Sequence, residues 1–114
     1  QVYAGIMNVL DEYNIGILKE REQAPINLDP DTELVSTLMK IYRKHTGDMS
    51  SKPMVIGGGT YARAMENIVA FGARFPGEPE LGHQKNERIS VDDLVKLAKI
   101  YAEAIYELAK GEER

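Results

Sequence analysis

The feature that most constrains this chain is its final apolar stripe, formed by Leu94, Leu97, Ala98, Tyr101, Ala104, Ile105 and Leu108. Spacings of three and four residues place these side chains on one face of an α-helix of about five turns. Ser90 and Asp93 precede the stripe as a Ser-x-x-Asp capping signature, and Gly111 supplies the stop.

Two further helices are legible upstream. Tyr3, Ile6, Met7 and Leu10 recur at helical spacing over Tyr3 to Tyr13, and Asn14 marks the end because Asn tolerates the left-handed conformation. Asp29-Pro30 reads as a helix start, with the carboxylate capping free amides and the proline at the first helical position. Leu34, Leu38, Ile41, Tyr42 and His45 follow on one face, and Gly47 ends the run. Between the helices lie three apolar stretches that read as short strands: Ile15 to Glu22, Met54 to Ile56, and Ile68 to Phe75. Thr60 to Asn67 suits a helical turn or two, and Pro76-Gly77 is turn punctuation. Helices alternating with short buried strands predict an α/β fold.

Bulk properties narrow the function. The 114 residues suffice for one modest domain, and 43% hydrophobic with 28% charged residues is a globular composition. A net charge of −4 argues against a nucleic-acid partner, which wants a basic face. No apolar run approaches the roughly 20 residues that span a bilayer. Cysteine is absent, so there is no thiolate metal site and no disulfide framework, as fits a cytoplasmic protein. The first residue is Gln1, with no basic-then-apolar leader after it, so the text reads as beginning mid-protein.

Few residues carry chemistry. Gly57-Gly58-Gly59-Thr60 stands between an expected strand and a helix, where open backbone N–H groups suit a phosphate or carboxylate; a tight turn with close packing explains the glycines equally. No Lys-Ser/Thr pair follows, so the loop is not of the Walker type. His83, in the polar loop Glu78 to Arg88, reads as a surface residue or as a zinc ligand, since neutral imidazole suits Zn²⁺. Arg63 is placed to clamp a carboxylate, or to pair with Glu66 or Glu87. His45 is read as a cation favoured at a helix C-terminus, and Asp29, Asp31 and Glu33 as favourable charge in a first turn.

The order of these features adds to what each says alone. Val55-Ile56-Gly57-Gly58-Gly59-Thr60-Tyr61-Ala62-Arg63, then Val69-Ala70-Phe71-Gly72, Phe75-Pro76-Gly77 and His83-Gln84-Lys85-Asn86-Glu87 resemble the C-terminal region of PepV-type bacterial dipeptidases. These belong to the superfamily of carnosinase, acetylornithine deacetylase and succinyl-diaminopimelate desuccinylase. Tyr42, Thr46 and Gly47, in a Tyr-x-x-x-Thr-Gly ending, and the closing helix from Asp92 onward are similar to that subfamily too.

The resemblance implies a di-zinc catalytic domain interrupted by a smaller α+β lid. Residues 1–27 would be the last helix and strand of the lid, and 28–114 the C-terminal part of the catalytic domain. His83 would be a ligand of the second of two zinc ions. Gly58, Gly59, Thr60 and Arg63 would line the substrate cleft near the carboxylate end of a dipeptide, with Glu87 supporting His83. The remaining zinc ligands, the general base and the lid's His and Arg that stabilise the tetrahedral intermediate lie upstream in that family. The chain alone is therefore expected to be an inactive piece that needs the remainder of its parent, binds zinc weakly and tends to self-associate. The alternative is a non-catalytic module that binds a carboxylate or a partner protein.

Overall fold

The computed structural model describes residues 2–18, 24–56, 59–72 and 74–110. Three helices are formed: α1 (Val2–Glu12), α2 (Glu33–Thr46) and α3 (Val91–Ala109), with a three-residue 3-10 turn at Tyr61–Arg63 between the last two.

Local chemistry sets the helix ends. At the end of α1, Asn14 adopts φ 59°, its amide donates to the Asp11 carbonyl at 3.1 Å, and the Ile15 amide donates to the Leu10 carbonyl at 2.9 Å. This pair of bonds is a Schellman closure with asparagine at the left-handed position. Gly47 ends α2 with φ 71°, and its amide donates to the Arg43 carbonyl at 2.8 Å. Ser90 caps α3, accepting from the Asp93 amide at 3.0 Å and donating to the Asp93 carboxylate at 2.6 Å. The Ser90 bond, then Lys96, holds the Asp93 carboxyl below its usual range.

The start of α2 differs from the expectation of Asp29-Pro30. Asp29 instead closes the turn before the helix, its Oδ1 accepting from the Asp31 amide at 2.9 Å. Thr32 is the cap, its hydroxyl accepting from the Val35 amide at 3.4 Å. Glu33 is consequently the acidic residue of the first turn, and Asp29 and Asp31 lie outside the helix.

The core lies where α2 packs on α3. Leu38 and Ile41 of α2 meet Ile100 and Ala104 of α3, and Leu34, Val69, Phe71, Phe75 and Tyr101 cover them. The Phe71 and Tyr101 rings pack edge to face at 6.1 Å, and the Lys96 ammonium stands 4.4 Å from the Phe75 ring centroid. Ile100, absent from the stripe read in the sequence, is the most buried core residue at 2% exposure, whereas Leu94 and Ile105 of that stripe face outward. The stripe is thus rotated toward Leu97, Ile100 and Ala104.

The α/β expectation is not met: no strand forms among the described residues. A strand needs a neighbour about 4.8 Å away to satisfy its amides and carbonyls. Met54, Val55 and Ile56 are exposed at 80%, 82% and 59% and lie in no ladder. The described residues of the Ile68 to Phe75 stretch drape irregularly over the α2–α3 pair, with Tyr101 donating its hydroxyl to the Phe71 carbonyl at 3.1 Å. Ile15 to Leu18 is likewise irregular and exposed, and the rest of that expected strand, from Lys19, lies outside the described residues, as does Gly111.

Much apolar surface is left uncovered. No residue of α1 is buried, although Val2, Tyr3, Ile6 and Val9 recur along it. The accessible surface is 10197 Å², against about 6,200 Å² for a folded monomer of this mass. The radius of gyration is 19.2 Å, against about 13 Å for a compact domain of this length. Among the described residues no helix is long and apolar enough to cross a membrane.

Candidate functional site

The site residues expected from the sequence fall into two local clusters. The first follows the glycine loop. Gly57 and Gly58 lie outside the described residues, so the expected cleft role of Gly58 has no position here. Gly59 is exposed, and a Cβ built on it meets nothing within 4 Å. Its backbone is not in the positive-φ region, so neither an unusual conformation nor close packing within the chain requires glycine there. Thr60 is extended, and its hydroxyl accepts from the Ala62 amide at 3.2 Å. Gly59, Thr60 and Tyr61 line an open depression. The turn they enter has only three residues, too short to build a helix dipole that would hold an anion. Arg63 extends from that turn and donates from Nη1 to the Ala24 carbonyl at 3.3 Å, tying the turn to the connector before α2.

The second cluster is a double turn. The Gln84 amide donates to the Leu81 carbonyl at 3.0 Å, and the Glu87 amide to the Gln84 carbonyl at 3.2 Å. The third residue of each turn is left-handed: His83 at φ 61° and Asn86 at φ 64°. That position normally takes Gly or Asn. Asn86 conforms; His83 does not, and a histidine there costs on the order of 1 kcal/mol in backbone sterics. The Glu87 carboxylate accepts from the His83 amide at 3.2 Å, and Gln84 Nε2 donates to the Glu80 carbonyl at 2.7 Å. His83 itself is exposed.

Two polar arrangements were not legible in the sequence. Asp48, in the loop that follows α2, gathers the Tyr42 hydroxyl at 2.8 Å, the Ser50 amide at 2.9 Å and hydroxyl at 2.7 Å, the Ser51 amide at 3.1 Å, and the Ser51 hydroxyl. These donors, Ser51 first, then Ser50 and Tyr42, hold its carboxyl far below the usual range. Burial, and then the bond to Asp48, pushes the Tyr42 phenol up. The only local signal is Asp-x-Ser-Ser after a helix-ending glycine, where an Asp side chain accepts from amides two and three residues on. The second arrangement joins the helices. Glu103 of α3 accepts from Lys44 at 2.6 Å and contacts His45 Nε2 at 2.7 Å, and its carboxyl is lowered by Lys44 first and His45 second. His45 therefore has a structural partner 58 residues away as well as a helix C-terminus.

Among the described residues, no group of three or more His, Cys, Asp or Glu side chains is placed to hold a metal ion. The imidazole of His83 is a suitable zinc donor in kind. A catalytic zinc site takes three protein ligands, so these residues offer one ligand and not a site.

The class follows from the match between this amino-acid sequence and known proteins. Residues 5–107 match Peptidase family M20/M25/M40, and the chain belongs to that family. It is 46% identical over 99 residues to the "Putative dipeptidase YtjP" of Bacillus subtilis, covering 87% of this chain and 21% of that protein. It is 43% identical over 99 residues to a "Putative dipeptidase" of Staphylococcus epidermidis, with the same coverage, and 46% identical over 96 residues to "Putative dipeptidase SH1171" of Staphylococcus haemolyticus, covering 84% and 20%. The chain thus spans about a fifth of the length of these relatives. No solved structure matches it significantly.

Proposed function

We propose that this chain is the C-terminal part of a PepV-type cytoplasmic di-zinc dipeptidase, inactive on its own. Membership of a peptidase family and the names of its relatives support the reaction class. The observation that carries the site is His83, an exposed imidazole held in a left-handed turn position that glycine or asparagine would fill at lower cost. Backbone strain of this kind is kept where a side chain is needed.

In the intact enzyme His83 would offer a neutral imidazole nitrogen to the second zinc. When bound, the two ions supply polarisation of the peptide carbonyl and activation of water. The chain's own contribution is binding and orientation. The Thr60 to Arg63 turn, with Gly58 and Gly59, forms one wall of the cleft near the dipeptide's carboxylate end. Glu87 supports His83. The general base, the other ligands and the oxyanion-stabilising groups come from the remainder of the parent.

The same reading explains the uncovered surface. Residues 1–27 belong to a lid and 28–114 to the catalytic domain, and the apolar stretches Met54 to Ile56 and Ile68 to Phe75 find their sheet neighbours in the rest of the enzyme. The experiment is His83→Ala in the intact protein, read by bound zinc and dipeptide hydrolysis. Loss of one zinc and of most activity is expected. Full zinc content and full activity would reject the assignment and leave a carboxylate-binding or protein-interaction module as the reading.

A further inference from the structure

We propose that Glu87 is a positioning residue that acts through the main-chain amide of His83, not through its imidazole. In a β-turn the amide of the third residue makes no bond within the turn, and His83 occupies that place in Leu81–Gln84. Gln84 is shared with the next turn, Gln84–Glu87, which folds the chain back so that Glu87 Oε2 reaches the His83 amide at 3.2 Å. Asn86, left-handed at the third place of that second turn, makes the return possible, and the Gln84 side chain braces the outside against the Glu80 carbonyl. The bond therefore opposes relaxation of His83 to an ordinary negative φ. What Glu87 must supply is an acceptor oxygen, not a charge.

The consequence for metal binding rests on the proposed role of His83; the conformational relation does not. The test compares Glu87→Gln, which keeps an acceptor oxygen, with Glu87→Ala, which removes it. Both side chains are exposed, so neither variant disturbs the α2–α3 core. Intact protein carrying isotope-labelled histidine reports the conformation of residue 83 through its intraresidue amide–Hα contact and carbon shifts. The left-handed signature is expected in wild type and Glu87→Gln and is expected to vanish in Glu87→Ala. In the intact protein, zinc affinity measured by chelator competition should fall about 10- to 100-fold in Glu87→Ala, the usual effect of removing a residue that orients a ligand, and stay near wild type in Glu87→Gln. A left-handed residue 83 in Glu87→Ala, or its absence in wild type, overturns the proposal. So does a Gln variant as impaired as the Ala variant, which would make charge the requirement. Zinc affinity lost in His83→Ala but intact in Glu87→Ala also overturns it. Zinc affinity unchanged even in His83→Ala defeats the ligand reading instead, while the conformational arm still supports the link from Glu87 to His83.

Discussion

A Cβ placed on Gly72 would stand 2.6 Å from the Tyr101 hydroxyl, the group that donates to the neighbouring Phe71 carbonyl at 3.1 Å. Gly72 is also left-handed, at φ 83°. A side chain at residue 72 would therefore have to displace the Tyr101 ring that holds the draped segment against α3. Gly72→Ala is expected to lose about 1–3 kcal/mol, from backbone sterics and from displacement of the tyrosine ring. Urea unfolding followed by helical circular dichroism measures this, and an unchanged midpoint would contradict it.

The core is small, so its centre is sensitive. Ile100 is 2% exposed and packs with Leu38, Ile41 and Ala104. Ile100→Ala should cost about 2–5 kcal/mol. Leu94→Ala, at a position 55% exposed, should have a much smaller effect on the same denaturation curve. Equal losses at the two positions would mean that the helix is rotated differently.

Acid sensitivity should trace to Asp48. Its carboxyl titrates far lower in the folded chain than the unfolded value near 3.9, because Ser51, Ser50 and Tyr42 donate to the ionised form. The unfolded state then binds the proton first, so this stabilisation is fully present above the unfolded value and disappears as pH falls toward the folded one. Asp48→Asn should melt below wild type at pH 6, and the gap should close as pH drops below about 4. A gap that is constant from pH 6 to pH 2.5 would reject the assignment.

The isolated chain should self-associate. Val2, Tyr3, Ile6 and Val9 of α1 are each at least half exposed, and Val55 is exposed at 82%. Unpaired apolar segments of this kind are templates for another chain. Sedimentation across micromolar concentrations should show a rising average mass, and Ile6→Glu together with Val55→Lys should reduce it. A compact monomer throughout the range would defeat the expectation.

The family was legible in the sequence, for a reason that does not depend on contacts. The order of a glycine loop, Phe-Pro-Gly and His83-x-x-x-Glu87 is linear information, and it led to the peptidase family that residues 5–107 match. The left-handed backbone of His83 was hidden, because histidine, though enriched in that conformation among side-chain-bearing residues, announces it far less strongly than glycine does. Asn14 and Gly47 show the contrast: both are helix ends that their residue type announces.

What the sequence by itself determined is therefore local. Capping by Ser90, closure at Asn14 and Gly47, and the turn at Pro76-Gly77, where the Glu78 amide donates to the Phe75 carbonyl at 3.2 Å, depend on groups a few residues apart. Tertiary structure alone decided which side of α3 is buried, that Glu103 would meet Lys44 and His45, and that three apolar stretches would stay out of any sheet among the described residues. Burial and strand pairing require a neighbour from elsewhere. A segment rich in Val and Ile specifies that it wants one, but only the surfaces that meet it settle whether it becomes a strand or lies draped across a helix pair.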